Sequence, residues 1–239
     1  MNYFFLNWKM YLDRDQSIVL ANHVASKDTL PDNTVIFCND LALSEVKDII
    51  GPERVGTQNV AWVPAGAYTG ATSAHMYKQA GATHALVGHS ERRHIFNETN
   101  IAIRKKMEAC VDTALTPVLC IGEKKEQRDD GKWKEVLSEQ LILALEDLDM
   151  KGQIFYVAYE PVWAIGTGVS CTSDMLQEVV DYIKQVLGTI NQNAIILYGG
   201  SVSSTNIKDF DNIAGVDGVL IGSAGAKVES LDSMLEVLQ

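Results

Sequence analysis

The sequence predicts the α/β class in the form of a (β/α)8 barrel, one closed sheet of eight parallel strands with helices outside. Three observations lead there. Short β-branched or aromatic runs recur from the first residues to the last, and a longer stretch with helical spacing follows each of them. The first run ends in Asn7-Trp8-Lys9, not in the early G-x-G-x-x-G that announces an open doubly wound sheet.

The predicted strands are residues 3–7, 34–38, 54–58, 84–87, 117–120, 154–158, 195–198 and 218–221. Helices between them read from apolar positions three or four apart, as in Val136-Gln140-Leu141-Ala144-Leu145-Leu148 and Leu176-Val179-Val180-Ile183-Leu187. Those faces are expected to pack on the sheet. Two stretches read as loops: 60–70, rich in Gly, Pro and Ala, and 161–168, which opens on a proline and contains two glycines. No low-complexity tract, composition shift or sequence repeat marks a second domain, so residues 1–239 read as a single catalytic barrel domain.

Composition narrows the function. The chain has 239 residues, 46% of them hydrophobic and 21% charged, as expected of one globular domain with a sizeable core. No apolar run is long enough to cross a membrane, and the first residues lack the charged start and cleavage site of a signal peptide, so a cytoplasmic enzyme is expected. The net charge of −11 opposes extended contact with nucleic acid or anionic lipid. It leaves room for a small anion, because backbone N–H groups can hold a phosphate locally. Cys38, Cys110, Cys120 and Cys171 have no C-x-x-C spacing and read as buried, reduced thiols.

In a barrel of this kind the site lies at the C-terminal ends of the strands, so the polar residues just past each apolar run are the candidates. They are Asn7 and Lys9, then His89, Ser90 and Glu91, then Cys120 and Glu123, then Glu160, Ser201, Gly222 and Ser223. Taken alone, Lys9 reads as a surface cation beside Trp8, and His89 reads equally as structural or catalytic. Glu160 is harder to dismiss. It follows Ile154-Phe155-Tyr156-Val157-Ala158-Tyr159 directly and precedes Pro161, which sets a carboxylate among apolar groups at the barrel mouth, where it is poised to act as a base.

Metal chemistry is not expected, because His84, His89 and His94 are five apart, which shares neither a helix face nor a strand face. A serine nucleophile is not expected either, since Gly199-Gly200-Ser201-Val202-Ser203 lacks the closing glycine of a G-x-S-x-G elbow. That segment reads as a turn whose backbone approaches an anion, or as an ordinary tight turn. The same logic applies to Gly222-Ser223-Ala224-Gly225, and barrel phosphate sites form after the seventh and eighth strands. Two such turns at those two places support a phosphate site better than either alone.

At Ala158-Tyr159-Glu160-Pro161-Val162-Trp163-Ala164-Ile165-Gly166-Thr167-Gly168 the chain resembles the triosephosphate isomerase family. Asn7-Trp8-Lys9-Met10, Gly88-His89-Ser90-Glu91-Arg92-Arg93, Cys120-Ile121-Gly122-Glu123 and Tyr198-Gly199-Gly200-Ser201-Val202 stand in the family's order, so the likeness covers essentially the whole chain. The resemblance implies interconversion of dihydroxyacetone phosphate and D-glyceraldehyde 3-phosphate, with no cofactor and no metal. It implies Glu160 as general base, His89 as electrophile and proton shuttle, and Lys9 as stabiliser of the enediolate. Asn7 would help place Lys9 and a substrate oxygen. Backbone N–H groups of Gly166, Ser201, Gly222 and Ser223 would hold the phosphate, and Pro161, Val162, Trp163, Ala164, Ile165, Gly166 and Thr167 would form a closing lid.

The chain departs from the family's pattern at three places. Ser223 stands where a second glycine is usual, and a φ above zero there would strain it. Tyr11-Leu12 follows Met10 where the family commonly has Asn-Gly. Ala71 stands where a glutamate is usual, in the loop around Thr69 that in relatives enters a neighbouring subunit. The expected homodimer would then lack one charge pair with Arg92, leaving Arg92 to find another acceptor or to be solvated. A rival phosphate-binding barrel, such as a sugar-phosphate epimerase or an isomerase of amino-acid biosynthesis, would share the phosphate turns but lack the trio Lys9, His89 and Glu160. A barrel kept only as a binding or adhesion scaffold would have no need of all three.

Overall fold

A computed structural model of the chain describes residues 2–166, 168 and 170–239. Its strands are β1 (Tyr3–Asn7), β2 (Asn33–Cys38), β3 (Val55–Thr57), β4 (His84–Val87), β5 (Thr116–Ile121), β6 (Tyr156–Tyr159), β7 (Ile195–Tyr198) and β8 (Gly218–Ile221). Each pairs in parallel with its neighbours in sequence, and β8 returns to β1 with Tyr3 opposite Gly218 and Leu6 opposite Ile221, which closes the barrel. Outside lie α1 (Arg14–Ala25), α2 (Leu43–Ile50), α3 (Ala74–Ala80), α4 (Ser90–His94), α5 (Asn100–Asp112), α6 (Lys125–Asp129), α7 (Trp133–Leu145), α8 (Ser173–Thr189), α9 (Ile207–Asp211) and α10 (Val228–Leu238).

Alternation along the strands makes two cores. Phe5, Val35, Phe37, Leu86, Val118, Tyr156, Leu197 and Leu220 fill the barrel. Their neighbours Phe4, Leu6, Ile36, Val55, Leu119, Val157, Ile196 and Val219 face the helices. Burial on both faces is why the runs in the sequence are apolar without interruption. Space inside is shared between large and small residues: a Cβ on Gly56 would stand 2.4 Å from the Phe37 ring.

The helices follow their sequence signals. Leu176, Val179, Val180, Ile183 and Leu187 form the buried stripe of α8, and Thr172 caps it by accepting the Met175 N–H. In α1 the Asp13 carboxylate accepts from the Gln16 N–H while the Gln16 side chain accepts from the Asp13 N–H, a reciprocal box that satisfies two end donors. α7 ends at Leu145, so Leu148 covers the core from the following turn and not from the helix.

Four strands differ from the sequence reading: β2 starts one residue earlier, β5 is one residue longer at each end, and β3 and β6 differ more. β6 begins at Tyr156, because its register with β5 starts at Val118 opposite Tyr156. Ile154 lies before that start and is 59% exposed, so the apolar run at 154–155 leads into the strand without belonging to it. β3 is only Val55–Thr57. Arg54 closes a 3-10 turn ahead of it, and Gln58 leaves the ladder to use its side-chain amide elsewhere.

All four cysteines are buried and unbridged. Among the described residues, no helix is long and apolar enough to cross a membrane.

Candidate active site

Glu160 is the first residue past β6, and its backbone N–H donates to the Ile121 carbonyl at 2.7 Å, which fixes where the side chain leaves the sheet. Its carboxylate is buried, 2% exposed for the residue. One oxygen, Oε2, accepts the Ser90 N–H at 2.9 Å, and the other, Oε1, lies 3.3 Å from His89 Nε2. Two glycines make room for it. A Cβ on Gly122 would stand 1.8 Å from the Glu160 carbonyl oxygen, and one on Gly199 would stand 2.8 Å from Glu160 Cγ.

His89 follows Gly88, whose φ of +72° turns the chain sharply after β4. Its Nδ1 accepts the Glu91 N–H at 3.2 Å, so that nitrogen carries no proton and the neutral ring bears its hydrogen on Nε2, the atom turned toward Glu160. Below this turn the Arg93 guanidinium donates to the Gly88 carbonyl at 2.7 Å and to the Cys120 carbonyl at 2.9 Å, and to Asn100 Oδ1 at 2.7 Å. Burial brings Arg93 down to about 10, still cationic at neutral pH. The brace ties the turn after β4 to β5.

Lys9 sits at φ +50°, a conformation uncommon for a side chain of its size. It is held there from both sides of its own backbone: Asn7 Oδ1 accepts its N–H at 3.0 Å, and Gln58 Nε2 donates to its carbonyl at 2.8 Å. The ammonium pairs with Glu91 Oε1 at 2.8 Å, and its stem passes over Gly222, where a Cβ would meet Lys9 Cε at 3.1 Å.

Asn7, Lys9, His89, Glu160, Ile165, Gly166, Ser201, Gly222 and Ser223 border one cavity of about 280 Å³ at the C-terminal mouth of the barrel. The structure thus brings together every predicted reacting or substrate-binding residue. Ser223 opens a short 3-10 turn, Ser223–Ala226, and its φ is not positive. The strain expected for a serine at this position is therefore absent. The unusual backbone falls on Gly222, with φ −88° and ψ −115°.

The lid residues divide into two groups. Ile165 and Gly166 reach the cavity, whereas Val162, Trp163 and Ala164 form a 3-10 turn outside it. Trp163 Nε1 donates to Glu123 Oε1 at 3.0 Å, the Tyr159 hydroxyl donates to the same oxygen at 3.0 Å, and the Val162 N–H donates to the Glu123 carbonyl at 3.0 Å. Burial and the Glu123 charge hold the Tyr159 phenol well above its ordinary range, so it stays a donor. From β7 the Ser201 hydroxyl donates to the Ala164 carbonyl at 2.6 Å, and the Tyr198 hydroxyl accepts the Cys171 N–H at 3.1 Å. These bonds tie residues 162–164 and Cys171 to the ends of β5 and β7. Thr167 lies outside the described residues.

Several working parts are invisible as motifs. The Ser90 N–H on Glu160, the Arg93 brace and the Glu123 latch each join strands distant in sequence. The signal for them is only that a charged residue and a glycine stand where a strand ends.

A family model, triosephosphate isomerase, matches residues 2–238. The chain belongs to the triosephosphate isomerase family. A triosephosphate isomerase of Francisella tularensis subsp. novicida (strain U112) is 39% identical over 238 residues, covering 96% of this chain and 94% of the relative. Those of Picosynechococcus sp. (38% over 230 residues; 94% and 93% covered) and Alkaliphilus metalliredigens (35% over 235 residues; 94% of each) are nearly as similar. The chain is accordingly an isomerase with the family's activity, the reversible interconversion of dihydroxyacetone phosphate and D-glyceraldehyde 3-phosphate in glycolysis and gluconeogenesis.

Arg92, deprived of a glutamate at position 71, does find another acceptor. Its guanidinium pairs with Glu98 at 2.7 Å within the chain and lies 4.2 Å over the Phe96 ring.

Proposed function

We propose that Glu160 is the base of this isomerisation and His89 its electrophile. Glu160 takes a proton from C1 of dihydroxyacetone phosphate while the His89 Nε2–H polarises the C2 carbonyl. The resulting enediolate moves a proton between O1 and O2 through His89, and Glu160 returns its proton to C2, so that atoms and charge balance. Lys9 faces the charge that grows on the oxygens, an interaction worth most in a pocket closed to water. Asn7 holds Lys9 in place. The phosphate is received by the N–H groups of Gly166, Ser201, Gly222 and Ser223, and the lid from Pro161 to Thr167 keeps water out until the proton has been returned.

The observation that carries this reading is the carboxylate of Glu160, buried, received by one N–H and aligned with the protonated nitrogen of a neutral histidine. The isomerase reading is favoured over the epimerase alternative by Lys9, His89 and Glu160 at one cavity, a trio the epimerase would lack. A coupled assay of triose phosphate interconversion tests it. Glu160→Gln should lower kcat by roughly 10²–10⁴-fold; wild-type turnover no faster than the variant would end the assignment.

We further propose a homodimer formed through the loop around Thr69. Supporting it, Met10, Trp62, Tyr68, Ile95 and Phe96 are exposed large apolar side chains, and Met10, Trp62, Ala71, Arg92 and Phe96 border a second cavity of about 520 Å³ suited to a loop of a second copy. The chain works as one catalytic domain in the cytoplasm, where buried free thiols stay reduced.

A further inference from the structure

Helix α7 turns an apolar stripe to the core, in which Trp133, Leu137, Leu141, Ala144 and Leu145 are buried. Gln140 lies in that stripe and is only 7% exposed. A buried amide costs stability unless its polar atoms are met, and here both are met by one residue. Gln140 Oε1 accepts the Gly122 N–H at 2.8 Å, and Gln140 Nε2 donates to the Gly122 carbonyl at 3.1 Å.

Gly122 is the first residue past β5, whose register with β6 ends at Ile121 opposite Tyr159. Gln140 thus stands in for a strand partner one residue beyond the ladder. The backbone it clamps is pressed against that of Glu160: a Cβ on Gly122 would stand 1.8 Å from the Glu160 carbonyl oxygen and 2.6 Å from the Glu160 carbonyl carbon. Before Gly122, the Ile121 carbonyl accepts the Glu160 N–H at 2.7 Å; after it, the Glu123 carbonyl accepts the Val162 N–H at 3.0 Å. Gly122 therefore lies between two bonds that bracket Glu160, and a Gly122 backbone released from Gln140 would carry both with it.

We propose that Gln140 is a positioning residue for Glu160. Its amide holds the Gly122 backbone by both its donor and its acceptor, and the Gly122 backbone in turn sets where the general base stands at the mouth. Gln140 does not border the substrate cavity, so it acts only through this contact. The proposal rests on the reading of Glu160 as the base. A misplacement of about 1 Å caused by a distant substitution costs on the order of 10²-fold in rate, which sets the scale of the effect.

Gln140→Met keeps the length and nearly the volume of the side chain and removes both hydrogen bonds. Its kcat for D-glyceraldehyde 3-phosphate should fall by about 10-fold to 10²-fold while KM stays within about twofold of wild type. Gln140→Glu separates positioning from packing. Protonated, its carboxyl group accepts from the Gly122 N–H and donates to the Gly122 carbonyl as the amide does; ionised, it loses the donor. Burial moves such a carboxyl's titration upward, so its kcat should match wild type at about pH 5.5 and fall about tenfold below wild type by about pH 8.5. A Glu160→Gln/Gln140→Met double variant should be no more than about twofold slower than Glu160→Gln, since a displaced base that is already absent costs nothing further. Wild-type kcat in Gln140→Met, the full Gln140→Met loss repeated on top of Glu160→Gln, or a Gln140→Glu to wild-type ratio that stays flat with pH would each overturn the positioning role and leave Glu160 as the base. Wild-type turnover by Glu160→Gln would overturn both. If Gln140→Met does not fold, the pH profile of Gln140→Glu decides alone.

Discussion

The two ends of the barrel are built from the same eight strands and do opposite work. At the floor, Tyr3, Phe5, His84 and Tyr156 interlock, with Tyr3 and Tyr156 ring centroids 5.2 Å apart and Phe5 and Tyr156 4.9 Å apart. At the mouth, the buried groups are charged or polar, and each is held by hydrogen bonds from a different strand end. Glu160 is met from β4, Lys9 from β1 and β3, and the 162–164 turn from β5 and β7. The difference shows where energy is placed: the floor gains stability from packing, while the mouth accepts a left-handed lysine and a buried carboxylate to obtain chemistry.

The comparison can be broken first at the mouth. Gly199→Ala puts a methyl where Glu160 Cγ needs space, and a displaced base should cost about 10²-fold in kcat/KM with a change of only a few degrees in Tm. Full activity with a large loss of stability would show that Gly199 serves packing and not the base.

The floor should respond to pH and not to substrate. His84 is brought down from 6.5 to about 4, chiefly by burial and then by the Lys78 charge, so it is neutral in the folded barrel while the unfolded chain takes up a proton below pH 6.5. Between pH 6.5 and pH 4 the unfolded state binds more protons, and stability falls as the pH is lowered through that window, by up to about 3 kcal/mol. Urea midpoints measured across this range should flatten in His84→Gln, and kcat at pH 7.5 should stay within about twofold of wild type, in keeping with a residue remote from the mouth.

The smallest effect is expected at the rim. Arg92 already spends its charge on Glu98, so Arg92→Ala should shift the dimer dissociation constant by no more than about threefold, the scale of an exposed ion pair. A shift of a hundredfold would mean that Arg92 serves the partner despite Ala71.

Much of this was legible in the sequence, for reasons that differ by element. Strands β1, β4, β7 and β8 read at their observed limits because a barrel strand buries both faces and so leaves an unbroken apolar run. β6 was misplaced by the same rule: Ile154 and Phe155 extend the run past the point where a neighbouring strand begins. That the predicted residues share one cavity was legible because they are polar groups standing where barrel strands end. Ser90 as a donor to Glu160, the glycines that admit it and the Arg93 brace were not, because each depends on the registers of two or three strands at once, and a backbone N–H has no signature in sequence. That Ser223 carries no left-handed strain needed its φ, which only the folded turn supplies.

The central claim is proton transfer by Glu160 at a rigid mouth, and solvent exchange tests it most directly. With dihydroxyacetone phosphate in deuterium oxide, followed by proton NMR, wild type should place deuterium at C1 of the ketose and at C2 of the aldose. Glu160→Gln, folded with an unchanged Tm, should exchange at least 10²-fold more slowly. Isomerisation by wild type with no deuterium incorporation, or exchange by Glu160→Gln at the wild-type rate, would contradict the account.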